Sequence, residues 1–279
     1  GREMCCSMTV IFNLAKVLEL LLHGGSDPAT GIRLFDPPER EPEQFDEFLD
    51  SYLEVLKLLL KRALAIGRMK SSFWSRVNPS PLLSGTMPDC IANGRDVSEA
   101  GTRYNTSGVM CAGIGTVADS LVAVKHLVFQ ERKCTLAELA ERLRSNWAGA
   151  EELRLHAKKK LPKWGNNHPE PDAIARRVTE TAAGVINHEP NGKGATFQMG
   201  LWSIDWNRMF GKKTGATPDG RNTGEELSKN AGATAGMDRR GATALIHSAA
   251  RLDHTEFPDG SVLDVTLHPS ALAGEDGAE

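Results

Sequence analysis

The sequence predicts an α/β chain in which helices greatly outnumber strands. Three observations carry that expectation. Apolar residues recur every three or four positions through several long stretches, the period of a helix face packed on a core. Strict two-residue alternation is confined to two short stretches, 196–203 and 262–268. Two strands so far apart cannot make a stable sheet by themselves, so partner strands from outside these residues are expected and the chain is read as a piece of something longer. At 279 residues it is long enough to bury a sizeable core.

Taken in order, residues 9–22 predict an amphipathic helix, with Leu14, Val17, Leu18 and Leu21 on one face and Gly24-Gly25 as its stop. Cys5-Cys6-Ser7-Met8 forms the turn that feeds it. Residues 26–44 carry four prolines and no periodicity, and predict a loop. The strongest helical pattern spans 43–66, where Phe45, Phe48, Leu49, Tyr52, Val55, Leu56, Leu59 and Leu60 trace one stripe that Gly67 should end. A short helix is expected over 87–93. GTRYNTSG at 101–108 predicts a turn leading into a helix through Phe129. Thr135-Leu136-Ala137-Glu138 is a capping box opening a helix that reaches Trp147. Helices over 151–160 and 171–187 follow, then the alternating strand 196–203. Residues 210–236 predict an extended loop, 240–251 a helix, and 262–268 the second strand.

Composition narrows the function classes. The chain is 40% hydrophobic and 25% charged with a net charge of −3, so no basic surface suggests nucleic acid as a partner. The longest apolar run is far too short to span a bilayer, and no signal-peptide pattern opens the chain. Five cysteines show neither C-x-x-C nor zinc spacing, and the histidines show no H-x-x-x-H, so no metal site is expected and a reduced, cytoplasmic setting is.

Two glycine-rich stretches offer competing interpretations. Gly113-Ile114-Gly115-Thr116-Val117-Ala118 fits the G-x-G-x-x-A dinucleotide fingerprint. That fingerprint needs a strand before it and a second strand ending in an acidic residue after it. Here an uninterrupted helical pattern runs on to Phe129, so close helix packing is the preferred explanation of the glycines. Thr214–Arg221, TGATPDGR, has the glycines of an anion nest, but Pro218-Asp219-Gly220 is preferred as an ordinary turn.

Seven segments together carry more than any one of them. FNLAKVLEL at 12–20, SPLLSGTMPDCIANGRDV at 80–97, GTRYN at 101–105, VADSLVAVKHLVF at 117–129, KWGNN at 163–167, FGKKTGATPDGR at 210–221 and HPSAL at 268–272 resemble the glycyl radical enzymes of the pyruvate formate-lyase family. They occur in the family's order over essentially the whole chain. The resemblance implies that residues 1–279 form a largely helical portion of a ten-stranded α/β barrel, part of one catalytic domain with no second domain. In that family a glycyl radical near the C-terminus oxidises a cysteine on a loop inside the barrel, and the thiyl radical abstracts a hydrogen from the substrate. In the eliminases a glutamate two positions after the cysteine is the general base.

Counted back from Asn13 and Glu19, the thiyl cysteine falls before Gly1, and the radical glycine falls beyond Glu279. No catalytic residue is therefore assigned within the chain, and by itself it is expected to be inactive. Cys5-Cys6 matches the paired cysteines of pyruvate formate-lyase in composition but lies too close to the NLAK helix. The substrate pocket is expected to be lined by Ser7, Met8, Ile11, Leu201 and Ser203. At the position of Ile11, pyruvate formate-lyase has an arginine that clamps a carboxylate, and isoleucine offers no donor. Met8, placed one helical turn earlier on the same face, stands where that enzyme has an aromatic residue. Met199, Leu201 and Ser203 share one strand face, and either that face or the opposite one with Trp202 looks into the barrel.

The implied activity is cleavage of a C–C, C–O or C–N bond of a small substrate by a radical dehydratase, decarboxylase or lyase. Formate C-acetyltransferase activity and a non-catalytic interaction remnant are the alternatives. No bound cofactor is implied. The resemblance further implies a homodimer and a radical S-adenosylmethionine activating enzyme, with its iron–sulfur cluster, that installs the glycyl radical.

Overall fold

The computed structural model describes residues 7–38 and 40–266. Strand β1 (Ser7–Asn13) leads directly into α1 (Leu14–Leu22), and α2 (Phe45–Val77), α3 (Pro81–Ser84) and α4 (Pro88–Asn93) follow. Strand β2 (Ser107–Ala112) is followed by α5 (Ile114–Val124) and a π-helical turn (Lys125–Gln130). Then come α6 (Leu136–Arg144), α7 (Glu151–Lys159), α8 (Pro169–Ile186), β3 (Phe197–Gly200), α9 (Trp206–Gly211) and α10 (Gly241–Ala249). The strands form one parallel sheet in the order β1-β2-β3. Parallel neighbours need long crossovers. Here α1 to α4 carry the chain from β1 to β2, and α5 to α8 carry it from β2 to β3.

Several expectations are corrected. The pattern over 9–22 splits at Asn13, because Thr9-Val10-Ile11-Phe12 is a β-branched and aromatic run that suits a pleated surface. Asn13 then caps α1, its Oδ1 accepting from Lys16 N at 3.1 Å. The expected turn at 101–108 gives way to β2, which is buried along its whole length. The α2 helix runs through Gly67 for 33 residues. A Cβ on Gly67 would lie 2.9 Å from Val10 Cγ2 and 3.0 Å from Thr9 Cγ2, so the glycine admits β1 against the helix rather than ending it. Residues 262–266 are not a strand; only 259–262 follow β3, with Leu201 and Ser261 forming a single parallel bridge. Residues 267–268 of that expected strand, the HPSAL motif and Cys5-Cys6 lie outside the described residues.

Other expectations hold. The capping box at Thr135 is formed in both directions, Thr135 N donating to Glu138 Oε2 at 2.8 Å and Glu138 N to Thr135 Oγ1 at 3.1 Å. The loops at 26–44 and after α9 are as expected. The core lies between one face of the sheet and helices α1, α2, α5 and α8. It joins Val10, Phe12, Val109, Cys111, Phe197 and Met199 to Leu14, Leu18, Tyr52, Leu56, Leu121 and Val178.

Candidate active site

Helices cover one face of the sheet, which leaves the other as the only face that can look into a barrel. Alternation of side chains assigns the residues. Val109 and Cys111 point to the helices, so Gly108 and Met110 take the opposite face. Across β3, Phe197 and Met199 belong to the helix-side core, and Gln198 and Gly200 to the open side.

On β1 the register slips between Met8 and Val10, with Met8 opposite Gly108, Val10 opposite Val109 and Ile11 opposite Met110. Without that bulge Met8 and Ile11, three residues apart, would face opposite ways. With it they share the open face, although the segment is a strand and not the expected helical turn. Met8 is 42% exposed and Ile11 half-buried. Ser7 lies opposite Ser107 in the register.

Leu201 is a correction, and Ser203 lies beyond the end of β3. Leu201 is fully buried within the helix-side core. Ser203 is also fully buried, with its N 2.7 Å and its Oγ 3.1 Å from Asn230 Oδ1. The helices cover the face that Met199 and Leu201 share, so the face with Trp202 is the open one. Sequence alternation defines two faces but does not say which one helices cover.

One charged group on the open face was not found from sequence. Asp259 N donates to Met199 O at 3.1 Å, placing the turn 257–260 along the free edge of β3. From there the carboxylate reaches back over the sheet. A Cβ on Gly108 would lie 2.5 Å from Asp259 Oδ2 and 2.7 Å from Oδ1, and one on Gly200 would lie 2.9 Å from Oδ2. The Trp202 indole nitrogen also crowds Gly200. The available signal was glycine within strand patterns, which marks close approach of another group.

The described cysteines, Cys90, Cys111 and Cys134, are free and buried. Burial pushes the Cys111 thiol up to about 12, and the other two are raised for the same leading reason. Cys111 points into the helix-side core, so it is not the hydrogen-abstracting group. Among the described residues no cluster of His, Cys, Asp or Glu is placed to hold a metal ion, and no helix is long and apolar enough to cross a membrane.

The two glycine-rich stretches resolve as packing. The strand required before the dinucleotide fingerprint is present as β2, but α5 is followed by the π-helical turn and α6, not by a second strand. Gly113 turns the chain with φ +90°, and the first turn of α5 is closed by the protein itself. Thr116 N donates to Ser228 Oγ at 3.0 Å and Ser228 N to Thr116 Oγ1 at 2.8 Å, where a pyrophosphate would bind. In the second stretch Arg221 is buried and organises its own loop. It donates to Thr217 Oγ1, to the carbonyls of Asn222 and Glu225 at 3.0 and 2.6 Å, and to those of Thr214 and Gly215. Gly220 N donates to Thr217 O, the turn expected at Pro218-Asp219-Gly220. Gly215 N is taken by Glu19 Oε1 at 2.8 Å.

This arrangement matches known proteins along nearly its whole length. Trans-4-hydroxy-L-proline dehydratase of Clostridioides difficile is 30% identical over 276 residues, covering 98% of this chain. Indoleacetate decarboxylase of Tractidigestivibacter scatoligenes is 30% identical over 96% of the chain. The glycerol-bound B12-independent glycerol dehydratase of Clostridium butyricum superposes with a TM-score of 0.90 at 33% identity over 97% of the chain. A glycyl radical enzyme of Archaeoglobus fulgidus superposes at 0.88 with 32% identity over 96%. The chain spans only 33–35% of the length of these proteins. Its fold is that of the corresponding part of the glycyl radical enzyme barrel. The profile of the pyruvate formate lyase-like (PFL-like) family matches residues 1–211, and the chain belongs to that family.

Proposed function

We propose that these residues are part of a glycyl radical enzyme that breaks a C–O, C–C or C–N bond of a small substrate, as a dehydratase, decarboxylase or related lyase. Support comes from the open face of the sheet, where the position of the carboxylate-clamping arginine of pyruvate formate-lyase is held by Ile11, flanked by Met8 and Met110. Without that clamp, binding and orienting pyruvate would lack its charged hydrogen bonds. The relatives named as dehydratases and decarboxylases agree with this choice.

Residues 1–279 act in this proposal as a part of one catalytic domain. The thiyl cysteine and the radical glycine come from outside them, so the 279 residues alone do not turn over substrate. The radical, installed by an S-adenosylmethionine and iron–sulfur activating enzyme, supplies the hydrogen abstraction. The contribution of this chain is to wall the cavity and exclude water and stray hydrogen donors. A cytoplasmic homodimer is the proposed working form. Met8 and Ile11 are the proposed lining residues, with Ser7 beside them on β1.

The test is anaerobic activation of the longer polypeptide, followed by assay for dehydration or decarboxylation and for pyruvate-dependent acetylation of coenzyme A. Elimination or decarboxylation without acetyl transfer is expected. Acetyl transfer from pyruvate would overturn the assignment.

A further inference from the structure

A cavity of about 250 Å³ lies on the helix-covered side of the sheet, between the end of α1, the end of α6 and the loop after α9. His23, Arg144, Lys212, Lys213, Thr214 and Thr223 contribute to its lining. The carboxylates around it are already engaged. Glu19 Oε1 accepts from Gly215 N at 2.8 Å, and Glu19 Oε2 lies 2.6 Å from Lys16 Nζ. Asp27 pairs with the same lysine at 2.8 Å, and Glu141 pairs with Arg144. Lys212 and Lys213 are exposed and meet no carboxylate among the described residues. Lys16, Arg144, Lys212 and Lys213 thus outnumber Glu19, Asp27 and Glu141, and the cavity carries a surplus of positive charge.

His23, the residue that ends α1, supplies an independent observation. Its Nδ1 lies 2.8 Å from Glu19 O. A carbonyl only accepts, so Nδ1 carries the ring hydrogen and Nε2 is left as an acceptor. That Nε2 is buried and has no hydrogen-bond partner among the described residues. Burial holds the ring below the usual histidine range, and the charges of Arg144 and Lys16 add to this against the bond and charge of Glu19. The ring is therefore neutral at physiological pH, and the missing partner is a donor. An unpaired buried acceptor is costly, and a ligand that brings a hydrogen removes that cost.

We propose that this cavity binds inorganic phosphate, drawn in by Lys212, Lys213 and Arg144 and read by His23 Nε2, which accepts a hydrogen bond from the P–OH group. Lysine and arginine supply charge-assisted hydrogen bonds to the phosphate oxygens. Inorganic phosphate keeps a P–OH hydrogen at mildly alkaline pH. Sulfate has the same shape and charge but no such hydrogen, and the dianion of a phosphate monoester has none either. The free ion is therefore preferred to both. Binding here is on the opposite side of the sheet from the open face and does not require the radical.

The experiment titrates the full-length protein, without activation, with inorganic phosphate, sulfate and methyl phosphate. Dissociation constants are measured by isothermal titration calorimetry at pH 8 and constant ionic strength. Phosphate is expected to bind at least fivefold more tightly than either of the other two. Replacing both exposed lysines, Lys212→Met with Lys213→Met, should weaken phosphate and sulfate alike by at least fivefold with an unchanged melting temperature. His23→Gln places an amide N–H donor beside the acceptor oxygen, and should bring the preference for phosphate over sulfate below twofold. If that variant is unstable, the comparison of the three anions on the unsubstituted protein still tests the role of Nε2. No phosphate binding, sulfate or methyl phosphate binding as tightly as phosphate, or affinity that survives loss of both lysines would each overturn the proposal.

Discussion

Replacing Gly115 by alanine tests whether the fingerprint glycines of α5 are packing glycines. An alanine Cβ there would lie 2.7 Å from Gly232 O, 3.0 Å from Ser228 Cβ and 3.1 Å from Trp164 Cδ1. The nearest atom is backbone, and its loop is held in place. Gly232 N donates to Lys229 O at 2.9 Å, Ser228 is locked to Thr116, and Trp164 Nε1 donates to Ala231 O at 2.9 Å. Overpacking of this kind costs about 1–3 kcal/mol. Alanine also favours a helix interior by about 1 kcal/mol over glycine. The sum is a net loss of up to about 2 kcal/mol. Gly184 in α8 is the control, because it is exposed, has no positive φ, and meets nothing within 4 Å. Gly184→Ala should show the propensity gain alone. Urea denaturation of both variants reads the difference as a shift in midpoint at constant slope. Equal stability of the two variants would refute the packing explanation of Gly115.

Asp119 is fully buried in α5 and its carboxyl is pushed up to about 7, first by burial and then by Asp219, against the pull of Lys163 and the 2.6 Å bond from Trp164 N. Its folded value is above the unfolded one, so this group's contribution to stability is complete below about pH 4 and is lost as pH rises to about 7. That amounts to about 1.4 kcal/mol per pH unit and roughly 4 kcal/mol in all. Asp119→Asn keeps the acceptor for Trp164 N, and its melting curve should lack that slope and lie above the parent's at pH 8. Arg221→Met strips the hydrogen bonds from several loop carbonyls and should cost at least about 3 kcal/mol, measured by chemical denaturation and accompanied by faster proteolysis after Lys212 or Lys213. Thr135→Ala removes one half of a capping box and should cost about 1 kcal/mol by the same measurement.

Much of the helical frame was legible in the sequence, because long periodic stripes such as Phe45 to Leu60 and the Thr135 capping box are local signals. The first two strands were not. Thr9 to Phe12 and Val109 to Ala112 each run directly into a helix, and a short apolar run carries no period of its own that separates buried strand from buried helix. Glycine often stops a helix, whereas the role of Gly67 is set by β1 and β3 crossing α2 there. Ile11 and Met8 came from the family frame and do share the open face, through a bulge that no local pattern announces. The place of Leu201 in the helix-side core is not legible from alternation, because helix cover is a long-range property. Asp259 was missed for the same reason, its place being fixed by Gly108, about 150 residues earlier in the sequence.

If this chain walls the cavity of a glycyl radical enzyme, electron paramagnetic resonance of the full-length polypeptide will detect the radical. After anaerobic incubation with its activating enzyme, S-adenosylmethionine and a reductant, a carbon-centred glycyl radical doublet should appear, and exposure to air should abolish it with cleavage of the backbone at the radical glycine. Consumption of S-adenosylmethionine with no such doublet, and no oxygen-dependent cleavage, would mean that the protein is not a glycyl radical enzyme.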